Sequence, residues 1–316
     1  MSISVIICTY QRPDQVRTAL ECFAAQTYRD FELLLVDGGC ERECEASRRL
    51  AAGYGGLNIR VIPSAKGLPR QRNVGLRAAA GEIICFLDDD VAVESDFLEN
   101  VAALFDRPDM QDAGGVSAYD TLHYPQRINL RWRLRRLLGT VPSLEPGDID
   151  RFGHSVPVSF SRPFTGCRPV SFFYGFCMIY RASAIVGMSF DEDLPTYGGE
   201  DRDFSFRVSR HARLLLCGDL HVRHFQAVPG RDSVLQRTFQ TGFGAGRLFA
   251  KQQTRLLDYT VFLRSFLCEF LIDLLAFAGH PSWQRFQQPF ARAAGMITGV
   301  RSYRLSVGTA EFDAAP

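Results

Sequence analysis

Ile83-Ile84-Cys85-Phe86-Leu87-Asp88-Asp89-Asp90 is the stretch whose reading decides the fold. A short apolar run of this kind reads as a buried strand, and here it stops in three carboxylates. Side chains alternate across a strand, so Asp88 and Asp90 share one side and Asp89 takes the other. Several like charges at one sheet edge are costly unless a cation sits among them. The pattern therefore points to a hard divalent cation, Mn2+ or Mg2+, held through oxygen by Asp88 and Asp90. The plain alternative is a solvated acidic turn.

Outward from this run the same signal recurs. Ile3 to Cys8, Phe31 to Val36 and Ile59 to Ile62 read as buried strands, and Glu82 to Leu87 is the fourth. Between them lie helical segments. One is capped by Asp14 and runs to Gln26, with Val16, Leu20 and Phe23 on one face. Another spans Glu41 to Ala52, and a third is started by Pro69 and stopped by Gly81. Ser95 caps a fourth, through Leu104. Strand–helix alternation predicts an α/β fold with a mostly parallel sheet and helices on both faces. Ligands then bind beyond the C-terminal strand ends, where Thr9, Asp37 and Asp88 to Asp90 fall.

Past residue 110 the pattern loosens, with frequent Pro, Gly and Arg up to Pro169. Phe172 to Tyr180 reads as a strand, Asp201 to Arg210 as a helix and Arg213 to Cys217 as the last strand. The remainder reads as helical. Residues 1–225 are expected to form the catalytic domain and 226–316 a C-terminal helical extension that associates with a membrane or a second copy.

Composition narrows the class. The chain has 316 residues, 46% of them apolar, enough for a sizeable core. A net charge of +1 gives no field for nucleic acid. The nine cysteines are odd in number and contain no CxxC pair. Cys40 and Cys44 read as free thiols, and the set fits a reducing cytoplasm. Residues 3–8 read as a strand rather than as part of a signal peptide.

A second acidic motif is Gly198-Gly199-Glu200-Asp201-Arg202-Asp203-Phe204. A carboxylate at a helix N-terminus is held ionised by the dipole and free amides, and it can take a proton from a hydroxyl. The preceding glycines let backbone approach a ligand. Ordinary acidic capping, with Asp203 and Arg207 paired at i,i+4, is the bland alternative.

Taken together, these motifs resemble family 2 glycosyltransferases of the GT-A fold. The resemblance runs from Val5 to Pro13, through Gln26 to Glu32, Val36-Asp37-Gly38-Gly39, Arg72-Asn73-Val74-Gly75 and Ala80 to Asp90. It resumes from Gly187 through Glu192 and at Gly199 to Phe204. It implies an inverting single displacement that moves a sugar from a nucleoside-diphosphate sugar to a hydroxyl of a glycan or lipid-linked acceptor. By this resemblance Thr9, Tyr10, Arg12, Asp37, Arg72, Asp88 and Asp89 bind the nucleotide sugar, and Asp90 with Asp88 holds the metal. Many members have a second Asp where this chain has Gly38, which leaves Asp37 alone there. Asp201 is the implied base, with Glu200 orienting it or the acceptor. His224 is the implied further metal ligand, against the alternative of an ordinary core or surface His.

Two further segments bear on the acceptor. Arg127 to Arg136 interleaves five Arg with apolar residues and Trp132, which suits anionic headgroups or a lipid pyrophosphate; the plain alternatives are a solvated basic loop and a patch pairing with acids elsewhere. In Leu257 to Phe277, Ser265, Glu269 and Asp273 form one polar stripe among apolar residues. Charges at Arg264, Glu269 and Asp273 argue against a bilayer span, leaving a helix in the membrane interface or one packed on protein. The expected compartment is the cytoplasm, with peripheral contact at the inner membrane face. Rivals to the transferase are a sugar-phosphate nucleotidylyltransferase and an inactive nucleotide-sugar-binding scaffold. Cys8 to Pro13 holds no Gly or Lys, which counts against the first, and intact Asp88, Asp90 and Asp201 count against the second. A dehydrogenase is disfavoured because no GxGxxG follows a strand.

Overall fold

The computed structural model describes residues 1–141, 145–149, 155–225, 233–252 and 258–313. It opens with β1 (Ile3–Thr9), α1 (Pro13–Ala24), β2 (Phe31–Asp37), α2 (Glu41–Ala52), β3 (Ile59–Pro63), α3 (Leu68–Ala78) and β4 (Ile83–Asp88). β1 pairs in parallel with both β2 and β4, and β2 with β3. The register sets Thr9 opposite Asp37 and Cys8 opposite Asp88, so the expected ligand-binding residues share one sheet edge.

The chain continues through β5 (Val91–Ala92), α4 (Phe97–Asp106), β6 (Ala113–Asp120), α5 (Leu130–Leu137) and β7 (Cys167–Val170). Next come β8 (Cys177–Arg181), α6 (Glu200–Ser209) and β9 (Arg213–His224). The sheet order is β3-β2-β1-β4-β8-β6-β9-β5, with β7 beside β9. β8 runs antiparallel to β4 and β6, so the sheet is mixed rather than wholly parallel. α7 (Val234–Gln252), α8 (Asp258–Gly279) and α9 (Trp283–Asp313) complete the fold as a helical extension. The expected boundary at 225/226 adjoins residues 226–232, which lie outside the described residues, as does Leu257.

Alternation along β1 divides the core. Val5 and Ile7 pack with Phe23, Phe97 and Phe105 on one face, while Ile6 packs with Leu34, Phe86 and Phe204 on the other. Several local expectations change. Asp14 does not cap α1. Pro13 opens the helix with Arg12 at the boundary, and Asp14 sits in the first turn, where a carboxylate complements the dipole. Ser95 does not cap α4 either, because that helix begins at Phe97 after Asp96. The strand expected over Phe172 to Tyr180 is confined to β8, and the last strand runs 12 residues, to His224 rather than Cys217. β6 was not anticipated, since Gly114 and Gly115 weaken its strand signal. At Gly115 a Cβ would come within 2.7 Å of the Tyr180 ring, so close packing requires glycine there.

The cysteine reading is corrected. Cys167 and Cys217 stand opposite each other on antiparallel β7 and β9, with Cα atoms 4.1 Å apart, and form a disulfide. Sheet pairing brings together two residues separated by 50 positions, a proximity that no spacing motif advertises. Cys40 and Cys44 are free thiols. The disulfide removes the cysteine argument for a reducing compartment.

Candidate active site

Asp88 ends β4, and the next two residues turn toward β9. β5 pairs antiparallel with the end of β9, with Val91 opposite His224. This pairing carries His224 to the acidic cluster. One donor atom each from Asp88, Asp90 and His224 lies within 4.8 Å of the others. Nε2 of His224 is 3.2 Å from Oδ1 of Asp90. Burial alone would lower the imidazole pKa, but the hydrogen bond and charge of Asp90 outweigh it and raise the value. The ring stacks on Phe176 with centroids 4.8 Å apart. The His224 backbone N–H donates to Asp120, whose other oxygen is 2.8 Å from Nδ1 of His123. Two carboxylates and an imidazole make a donor set that fits Mn2+ or Mg2+.

Asp89 points the other way, as alternation requires. It is buried, and it accepts from Thr9 Oγ1 and Arg12 Nη1, both at 2.8 Å. Burial pushes its carboxyl up to about 6 despite those partners. Its place in the structure is a bracket behind the ends of β1 and α1. Asp37 is also buried; its oxygens accept from Gly39 N–H at 2.8 Å and Ser47 Oγ at 2.6 Å. Tyr10 carries the Lys66 ammonium over its ring at 4.4 Å.

Arg72 lies beneath the site, with a side chain only 2% exposed. Its guanidinium donates to Glu200 at 2.9 Å, Asp88 at 3.1 Å and the Gly175 carbonyl at 2.9 Å. One buried cation thus ties the Asp88–Asp90 run to the second acidic motif. Burial, reinforced by adjacent Asp201, moves the Glu200 carboxyl upward against the pull of Arg72.

α6 presents Asp201 at its first turn. Phe190 and Phe204 stack at 4.1 Å, and Phe86 meets Phe190 edge-on at 5.3 Å, which fixes the helix on the sheet. Ser205 Oγ donates to the Asp201 carbonyl at 2.6 Å. Gly199 precedes the helix at φ 78°, a left-handed conformation that favours glycine. The Asp201 carboxylate accepts from Gly175 N–H at 2.8 Å and Arg202 N–H at 2.7 Å. Those amides fix its direction. The expected Asp203–Arg207 pair is also present, at 3.1 Å.

Beside this turn opens a cavity of about 270 Å³. Tyr174, Arg202, Trp132, Phe249, Phe262 and Glu269 are among its lining residues. Tyr174 precedes Gly175 and Arg202 follows Asp201, so the cavity borders the second acidic motif. α7, α8 and α9 close its far side, which gives the C-terminal helices a part in the site that helical periodicity did not reveal. Gly175 and Phe176 were likewise missed as contributors, since one acts through its backbone and the other only by stacking.

Comparison with known proteins places the chain. The model of the family described as Glycosyl transferase family 2 matches residues 4–186, more than half of the 316 residues. The chain belongs to this family. It is 29% identical over 126 residues to the glucosyl-dolichyl phosphate glucuronosyltransferase of Haloferax volcanii, covering 38% of this chain and 39% of that protein. It is 30% identical over 113 residues to the amylovoran biosynthesis glycosyltransferase AmsB of Erwinia amylovora, covering 34% of this chain and 36% of that protein. The chain thus matches well under half the length of these curated relatives. Among solved structures, the mannosyltransferase PcManGT of Pyrobaculum calidifontis, in complex with GDP-Man and Mn2+, aligns with a TM-score of 0.55 at 17% identity. That alignment covers 96% of this chain and 86% of PcManGT. TarS of S. aureus aligns with a TM-score of 0.51 at 17% identity, covering 97% of this chain and 55% of TarS. These likenesses define the fold as GT-A.

Proposed function

We propose that the chain is a metal-dependent, inverting glycosyltransferase. It moves a sugar from a nucleoside-diphosphate sugar to a hydroxyl of a glycan or lipid-linked acceptor, in glycoconjugate or polysaccharide biosynthesis. The observation that carries this reading is the buried Arg72 bridge, which links Asp88 of the metal-type donor cluster to Glu200, the neighbour of Asp201. PcManGT, of the same fold, was solved with a nucleotide sugar and Mn2+, which supports the donor class. The family relatives named for amylovoran and dolichyl-phosphate glycans support the acceptor class.

In this reading Thr9, Tyr10, Arg12 and Asp37 surround the nucleoside end of the donor, with Asp89 and Arg72 fixing the wall behind them. A cation held by Asp88, Asp90 and His224 supplies charge neutralisation at the leaving diphosphate. Asp201 accepts the proton of the acceptor hydroxyl, aimed by the amides of Gly175 and Arg202. The acceptor oxygen then bonds to the anomeric carbon as the bond to the diphosphate breaks on the opposite face. Glu200 and Arg72 position Asp201 from beneath. The cavity lined by Trp132, Tyr174 and Arg202 receives the acceptor, whose sugar rings suit aromatic walls.

The test is nucleoside diphosphate release from a panel of nucleotide sugars, with and without Mn2+, water standing in for the acceptor. Mn2+-dependent release from one nucleotide class supports the transferase. Binding without release from any donor, at any metal concentration, favours the scaffold. No binding at all removes the donor assignment.

A further inference from the structure

Helix α8 is built inside out for a helix in water. Its polar stripe faces the protein. Ser265 is 4% exposed and Asp273 1% exposed, while Glu269 pairs with Arg135 of α5 at 2.5 Å and Asp273 with Arg292 of α9 at 2.6 Å. The opposite side carries Leu263, Leu267, Leu271 and Leu275, which are 55%, 55%, 46% and 49% exposed. Spaced by four, these leucines run along one face for about 18 Å at 1.5 Å per residue. Water selects the reverse orientation for an isolated amphipathic helix.

The apolar face continues at the α8–α9 turn. Phe270 contacts Phe290, and Phe277 contacts Phe286, each pair with centroids 5.6 Å apart. Trp283 stacks on Phe286 and is exposed. An open groove of about 390 Å³ lies among Phe277, Pro281, Trp283 and Phe286. Such a contiguous exposed patch marks an interaction surface.

Charge identifies the occupant. Arg264 sits on the leucine face and donates to the Gly139 carbonyl at 2.7 Å, which ties the end of α5 beside it. α5 exposes Arg133 and Arg136 together with Leu130 and Leu137. In residues 258–305 the acids are Asp258, Glu269 and Asp273, and all three are turned inward. Exposed Arg301 and Arg304 on α9 add to the positive side. A two-fold contact with a second copy would set these cations against one another. Anionic headgroups complement them, while the leucines and Trp283 enter the acyl boundary. No helix among the described residues is long and apolar enough to cross a membrane.

We propose that the outer face of α8, with the α8–α9 turn and the exposed side of α5, docks in the interface of an anionic membrane. Docking does not depend on the transfer chemistry, and donor hydrolysis reads that chemistry separately. The cavity beside Asp201 lies between α5, α6 and these same helices, so docking brings a lipid-linked hydroxyl near the base.

The experiment is co-sedimentation of the full chain with phosphatidylcholine vesicles containing graded phosphatidylglycerol, in low and high salt. Binding should rise with phosphatidylglycerol and fall with salt. The double variant Leu267→Glu/Leu271→Glu should bind roughly tenfold or more weakly while hydrolysing donor at the parental rate. Equal binding by the variant, or no binding at any composition, overturns the proposal. A dimer in solution that this variant splits overturns it too, by assigning the face to a second copy. Trp132→Phe leaves Trp283 as the lone tryptophan and needs no added charge. Its emission should shift to the blue on anionic vesicles, and an unmoved spectrum counts against docking.

Discussion

Nε2 of His224, the last residue of β9, lies 3.2 Å from Oδ1 of Asp90 in the turn after β4. The contact exists because β5 and β9 pair at Val91 and His224. If this imidazole is a ligand, His224→Ala should weaken Mn2+ binding by more than the roughly 10-fold typical of losing an outer-shell partner. Titration of Mn2+ by calorimetry checks this, and an unchanged affinity would reduce His224 to a packing residue on Phe176.

Arg72 is a buried cation with two acidic partners. Removing it leaves Glu200 in the interior without its counter-charge, so Arg72→Met should destabilise the fold by about 3 kcal/mol. Adding Glu200→Gln should restore a good part of that loss, because the uncompensated charge goes too. Urea unfolding of both variants measures the difference. Equal destabilisation would mean that the Arg72–Asp88 contact dominates.

α7 supports the turn before Asp201. A Cβ on Gly244 would run into the Gly198 carbonyl oxygen. Gly244→Ala should therefore cost about 2 kcal/mol, as overpacking does, and slow turnover more than it weakens donor binding. Steady-state kinetics with the identified donor separates the two effects.

Asp191, in the segment before α6, is tied to α7 by two cations. It accepts from Arg247 and Lys251, both at 2.6 Å. Burial alone would raise its pKa, but these cations outweigh it and hold the value at about 2, below the ordinary 3.8. A depressed carboxylate pKa means stability that is present above pH 3.8 and lost as pH falls toward 2. Asp191→Asn should lower stability at pH 7 by about 2 kcal/mol, at 1.36 kcal/mol per pKa unit, and the gap should close between pH 4 and pH 2. Parallel melts across that range check it.

Much of the fold was legible because buried parallel strands write themselves as β-branched runs. Ile3 to Thr9 and Ile83 to Asp88 carry their own evidence, as does the family resemblance of their ends. What was illegible depended on partners distant in sequence. The resemblance marks Arg72 only as a nucleotide-sugar-binding position, and its burial between Asp88 and Glu200 shows once Glu200 is brought to it. Ser265, Glu269 and Asp273 read as one polar stripe, but only Arg135 and Arg292 determine that the stripe faces inward. Cys167 and Cys217 needed the pairing of β7 and β9. Gly114 and Gly115 hid β6 because their role is close packing, not strand propensity.

The central claim divides labour between the two acidic motifs, and one measurement tests it directly. Mn2+-dependent binding of the nucleoside diphosphate that the donor releases should be compared in the parental chain, Asp90→Asn and Asp201→Asn, alongside transfer. Both variants should lose transfer. Only Asp90→Asn should lose Mn2+-dependent diphosphate binding, while Asp201→Asn binds as the parent does. Equal loss of binding in both, or retained transfer in Asp201→Asn, would contradict the assignment of Asp90 to the metal and Asp201 to the proton.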